Sequence, residues 1–156
     1  LFAPTEDVAY EIGRALDDAV GVVWTVNKSS KMLYGGGSSY MSMSRAVRDY
    51  SETIEGRAQL AVKAFAEALE VIPATLAQNC GLQPVDALIA LRASHSNGEY
   101  DSYIDADTGQ IVRGGSVVEP LTVVSVAVET ATSTAISIIR IVRNVRGKTP
   151  EDIAGM

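Results

Sequence analysis

Residues 59–81 read QLAVKAFAEALEVIPATLAQNCG, and the spacing in this stretch sets the fold class. Ala61, Ala64, Phe65, Ala68, Leu69 and Ile72 fall on one face at helical spacing. Pro73 lacks an amide hydrogen and crowds the preceding turn, so a helix is predicted to end or kink there. A short helix over 74–79 follows and closes at Gly81, a residue suited to a left-handed cap. Downstream, Pro84 fits a first helical turn, and Val85, Leu88, Ile89 and Arg92 carry another helix forward.

The same period extends outward in both directions. Upstream, Met43, Ala46, Val47 and Tyr50 predict one face of a helix over 40–50. The preceding segment, NKSSKMLYGGGSS, breaks the pattern with three consecutive glycines, Gly35, Gly36 and Gly37. Before it, Thr5 is a candidate cap, and Glu6 and Asp7 suit the positive end of a helix dipole. Val8, Ile12, Ala15, Ala19, Val22, Val23 and Val26 form the stripe of a helix over 6–26. Asp7, Glu11, Arg14 and Asp18 form its charged face.

Downstream, residues 96–117 read SNGEYDSYIDADTGQIVRGGSV. Turn pairs at Asn97-Gly98, Thr108-Gly109 and Gly114-Gly115 surround Tyr103, Ile104, Ile111 and Val112, which predicts a small hairpin. Pro120 then opens a last helix striped by Val124, Val128, Ala131, Ala135, Ile138, Val142 and Val145. Val123, Ala127, Ile136 and Ile139 make its other faces apolar too, so it is expected in the middle of a bundle. Thr122, Ser125, Glu129, Thr132, Ser133, Thr134 and Arg140 interrupt it, which argues against a transmembrane span. The fold class is therefore mainly α, a helical bundle with a small β-hairpin. The polar tail GKTPEDIAGM is expected to be mobile.

Composition narrows the function classes. The 156 residues are 47% hydrophobic, enough for one domain with a sizeable core. Thirteen Lys and Arg against nineteen Asp and Glu give a net charge of −6, which argues against general nucleic-acid binding. One cysteine, Cys80, removes an internal disulfide framework, and one histidine, His95, removes most zinc chemistry; no metal site is expected. LFAPTEDV lacks the basic and apolar runs of a signal peptide and an initiator methionine, so a fragment or trimmed chain is expected.

Three constellations carry candidate chemistry. Gly35–Gly37 lets backbone amides approach a phosphate or nucleotide, with a helix N-terminus following; it also fits a plain helix–helix turn, because no GxxxxGK followed by Ser or Thr is present. Asp18, beside Asp17, can hold a water for phosphoryl transfer, or simply belong to the charged face. Glu119 can accept hydrogen bonds from a ribose diol, or serve as a helix-start residue. His95, Cys80 and Trp24 read as structural, and Met41 and Met43 as core or interface.

Taken in order, LDDAVGVV, YGGG, AFAEALEVIPATLAQNCG, ALIALRASHSNG, YIDADTGQI and VVEPLTV resemble the C-terminal part of a group II chaperonin subunit, the archaeal thermosome and eukaryotic CCT type. The resemblance covers the chain from about Thr5 to Val145. It implies the C-terminal half of the chaperonin equatorial-domain helical bundle. Residues 1–20 would close the intermediate domain, 21–146 would complete the ATP-binding equatorial domain, and 147–156 would be the tail. It implies Asp18 as the catalytic residue that positions the attacking water. Gly35, Gly36 and Gly37 would lie against ribose and base, Glu119 would contact the ribose, and Asp105 would line the adenine pocket. The implied ligands are ATP/ADP and Mg²⁺, with the Mg²⁺ ligands mainly outside this sequence. The implied partners are other subunits in a double ring and unfolded client proteins, in the cytoplasm, with no nucleic acid and no membrane.

Departures mark a divergent member. The family's LGPKG and GDGTT phosphate motifs are absent, so this segment alone is expected to be inactive. Arg140-Ile141-Val142-Arg143 stands where R-I-D-D is usual, and LFAPTED replaces a start closer to RGGTE. Tyr103-Ile104 replaces the glycine ahead of the hairpin aspartate, and Arg113-Gly114 stands where D-M is common. A non-catalytic self-assembling scaffold or adaptor with the equatorial fold, or an inactive fragment, is the alternative.

Overall fold

A computed structural model describes residues 3–115 and 117–145, the last four by backbone only. In chain order the elements are α1 (Glu6–Ser29), β1 (Met32–Tyr34), α2 (Ser38–Ser51), α3 (Arg57–Asn79), α4 (Pro84–Ser96), β2 (Tyr103–Asp105), β3 (Gln110–Val112), β4 (Val118–Pro120) and α5 (Leu121–Val145). The mainly helical class with a small hairpin is what the sequence predicts. The tail over 147–156 lies outside the described residues. Two compact units emerge: Met32–Glu119, and the chain up to Lys31 together with the chain from Pro120 onward.

In the Met32–Glu119 unit, α2, α3 and α4 pack together with the β2–β3 hairpin. Met41, Ala77, Ala87, Leu91 and Ile104 form the buried core, with Cys80 and Ile111 packed against it. The hairpin is antiparallel, pairing Tyr103 with Val112, Ile104 with Ile111 and Asp105 with Gln110. β1 and β4 make a second two-stranded sheet, with Pro120 of β4 counted in the other unit. Both α3 and α4 end in paired reverse hydrogen bonds around a left-handed glycine. Leu82 N–H reaches the Ala77 carbonyl and Gly81 N–H the Gln78 carbonyl; Glu99 N–H reaches Ser94 and Gly98 N–H reaches His95.

α3 continues through Pro73 to Asn79, which corrects the expected end there and the separate helix over 74–79. Proline removes one amide donor, a cost of about 3 kcal/mol in a helix interior. Here the ring is fully buried, so packing offsets that cost. The buried stripe is also shifted: Ala66, Leu69, Glu70, Pro73 and Ala77 face inward, while Phe65 and Ile72 are exposed. On α2 the inward residues are Ser38, Ser39, Met41, Ser44 and Ser51, not the stripe ending at Tyr50, which is exposed. The buried positions of α2 are thus serines apart from Met41, with Met43 and Val47 half-buried.

In the other unit, Thr5 caps α1 as predicted, its Oγ1 accepting from Val8 N–H at 3.3 Å. α1 runs on to Ser29, closed by Ser30 at φ 50°. No residue of α1 is buried, and Trp24, expected as a packing residue, is exposed beneath Lys28 Nζ, 5.3 Å from its ring centroid. α5 corrects the expectation of a buried central helix: of the stripe residues whose burial is described, Val124 is buried and Val128 half-buried, while Ile138 is exposed. Leu121–Ile141 reaches a mean hydropathy of 1.5, long and apolar enough by composition to cross a membrane despite its interruptions.

Candidate functional site

The glycine loop turns between β1 and α2 and is held from several sides. Gly35 N–H donates to the Val117 carbonyl at 2.9 Å, and the Gly36 carbonyl accepts from Ile104 N–H at 3.0 Å. Gly36 and Gly37 adopt φ 59° and 84°, the left-handed region that favours glycine. A Cβ on Gly37 would lie 2.7 Å from Pro73 Cβ, so the helix-interior proline and the loop glycine fit each other. The loop is thus a fixed backbone surface, not a slack turn.

Ser38 opens α2 and ties the loop to α4. Its Oγ donates to the Tyr100 carbonyl at 2.6 Å, and its carbonyl faces His95 Nε2 at 3.2 Å. His95 Nδ1 faces the Leu91 carbonyl at 2.9 Å, and Arg45 Nη1 donates to the His95 carbonyl. His95 is therefore a buried structural link, as its position in the sequence predicts.

Glu119 reaches the same place from β4. Its Oε1 accepts from Ser39 Oγ at 2.9 Å, in the first turn of α2. Burial, and next the Glu119 charge, push the neighbouring Tyr40 hydroxyl above its ordinary value. A half-buried carboxylate beside a glycine-lined backbone is chemistry that accepts hydroxyl donors such as a sugar diol. A carboxylate repels phosphate, so Glu119 is suited to hydroxyl donors and not to a phosphate group.

Asp105 ends β2 and follows Ile104, whose N–H donates to the Gly36 carbonyl. Its carboxylate accepts from Thr108 Oγ1 at 2.8 Å and Asp107 N–H at 3.0 Å. Those two bonds, Thr108 first, hold it below the usual carboxylate range. The side chain staples its own turn. Gly35–Gly37, Glu119 and Asp105 thus belong to one unit, Met32–Glu119. Asp18 lies on α1 in the other unit, exposed on the charged face where Glu11 pairs with Arg14 at 3.5 Å.

A second polar cluster braces the helices behind the loop. Buried Glu70 of α3 accepts from Ser44 at 2.8 Å and pairs with Arg48 at 3.1 Å and with Arg92. Burial is the largest influence on Glu70 and raises it, but the Arg92 and Ser44 hydrogen bonds and both arginine charges together bring it below its ordinary value. Sequence reasoning missed Glu70, since a glutamate on a helix reads as surface, and missed Ser39, whose only signal is its place after the glycines. Among the described residues no three His, Cys, Asp or Glu side chains gather to hold a metal ion.

Comparison with known proteins gives the geometry its context. Residues 1–148 match the model of the TCP-1/cpn60 chaperonin family. Thermosome subunit 1 of Haloferax volcanii is 46% identical over 139 residues, 88% of this chain and 25% of that protein. The thermosome subunit of Methanocaldococcus jannaschii is 44% identical over 140 residues, 88% of this chain and 26% of that protein. The open-state monomer of a group II chaperonin from Methanococcoides burtonii superposes with a TM-score of 0.75 at 40% identity, over 87% of this chain and 34% of that one. The chain spans about a quarter of the length of the curated relatives it matches.

Proposed function

Because the chain belongs to the TCP-1/cpn60 chaperonin family, we propose that it is the C-terminal equatorial segment of a group II chaperonin subunit that hydrolyses ATP to drive ring closure around non-native polypeptides. The observation that carries this reading is the Gly35–Gly37 loop fixed beside Glu119 and Ser39, a backbone surface and a carboxylate suited to a ribose and base. Glu119 accepts hydrogen bonds from the ribose, and the glycine backbone lies against the sugar and base. The hairpin at Asp105 borders the base through its backbone while the carboxylate keeps the turn.

Asp18 is the water-positioning group. It orients a water whose oxygen bonds to the γ-phosphorus as the bond to the bridging oxygen of ADP breaks. Mg²⁺ would neutralise the phosphates, with its ligands mainly from the part of the subunit beyond this sequence. Residues 1–20 close the intermediate domain, 21–146 complete the equatorial domain and 147–156 form the tail, although α1 is unbroken through residue 20. The exposed apolar faces of α1 and α5 pack against the rest of the subunit. Glu129 and Arg140 within α5 suit that setting better than lipid. The partners are other subunits in a double ring and unfolded clients, in the cytoplasm.

The test is made on the complete subunit, by native mass spectrometry with and without Mg-ATP and by ATP turnover. The expected result is a large ring whose turnover falls at least about 100-fold in Asp18→Ala with assembly intact. Assembly without nucleotide dependence, and turnover indifferent to Asp18, would instead support a self-assembling scaffold.

A further inference from the structure

Tyr103 opens β2, two residues ahead of the Asp105 that ends it. Its ring is almost fully buried and touches glycines from two separate segments. A Cβ on Gly36 would lie 2.5 Å from Tyr103 Cδ2, and a Cβ on Gly115 would lie 3.1 Å from Cε1. One edge of the ring therefore meets the glycine loop, and the other meets the segment that leads to Val117 and Glu119. Val117 is the residue whose carbonyl holds Gly35 N–H.

The segment around Gly115 is held in place by its neighbours Arg113 and Gly114. Arg113 Nη1 pairs with Glu99 at 2.7 Å and its Nε with Asp101 at 3.5 Å, while Gly114 N–H donates to Asp101 Oδ2 at 3.0 Å. These bonds tie the chain after β3 back to the chain before β2 and keep Gly115 against the ring. The bulky ring and the glycine that makes room for it are in contact.

We propose that Tyr103 is a positioning residue for nucleotide binding: its ring wedges between Gly36 and Gly115 and fixes the Gly35–Gly37 loop relative to Glu119. This rests on the nucleotide-site reading above. A loop already ordered in the free protein loses less freedom when ligand arrives, so the wedge acts on affinity and leaves the chemical step alone. The ring does this by its bulk, without its hydroxyl.

The test measures Mg-ADP binding by calorimetry, with KM and kcat for ATP, in the complete subunit. Tyr103→Phe is expected to bind within about twofold of the parent, and Tyr103→Gly about tenfold more weakly, with KM rising in step and kcat nearly unchanged. Gly115→Ala, which sets a methyl group against the ring, is expected to weaken binding about threefold alone and not at all in the Tyr103→Gly background. Tyr103→Gly binding as tightly as the parent overturns the proposal, as does a fall in kcat with KM unchanged. Should Tyr103→Gly fail to fold, Gly115→Ala decides alone, and unchanged binding there overturns it. A parent subunit that binds no Mg-ADP overturns the nucleotide-site reading itself, an outcome distinct from a parent that binds while the variants match it.

Discussion

α3 and α5 are almost equally long, at 23 and 25 residues, and both are rich in apolar residues. α3 buries five residues, including a carboxylate and a proline, whereas Val124 is the residue of α5 whose side chain is described as buried. Periodicity shows only that apolar residues gather on one face of a helix. Burial depends on whether a partner of matching shape is present. α3 has α2 and α4 as partners within its own unit, whereas most of α5 is left exposed among the described residues.

The predictions probe this contrast, beginning where packing is tightest. Gly37→Ala should cost the most, about 4 kcal/mol, since it adds left-handed strain to a clash with Pro73. Thermal unfolding would show it, and a drop as small as that of a surface variant would mean the loop is slack. Leu91→Ala, at a fully buried site, should cost about 3 kcal/mol by the same measurement. Ile138→Ala on α5 sharpens the comparison directly. In the segment alone, where the residue is exposed, it should cost under about 0.5 kcal/mol. In a complete subunit that covers α5 it should cost about 2 kcal/mol.

Acid comes next. The Glu70 carboxyl is lowered in the folded protein, so its stabilisation is present above the ordinary value of 4.5 and is lost as pH falls below that through the folded value. Glu70→Gln should remove about 2 kcal/mol at neutral pH and flatten the acid limb of a stability–pH curve. An unchanged acid limb would remove Glu70 from the account. Smallest of all, Arg14→Ala breaks an exposed pair on α1 and should change stability by at most about 0.5 kcal/mol.

Much of the fold was legible before any coordinates. Thr5, Gly81, Pro84 and the Thr108-Gly109 turn each dictate backbone geometry locally, and each stands where it was expected. The glycine loop and Glu119 were legible as candidates from residue type and position, each beside an ordinary structural reading. Their meeting through Ser39 was not legible, because it joins residues 80 positions apart.

The sequence by itself determined the helical class, the caps at Thr5 and Gly81, the hairpin and the family, since these rest on local backbone preference and on the order of short motifs. Only the tertiary structure decided which helix faces turn inward, how Pro73 stays within a helix, and what Tyr103 touches. Those outcomes depend on the shape of neighbours distant in sequence. A buried serine against a glutamate, or a ring between two glycines, leaves no periodic trace along the chain.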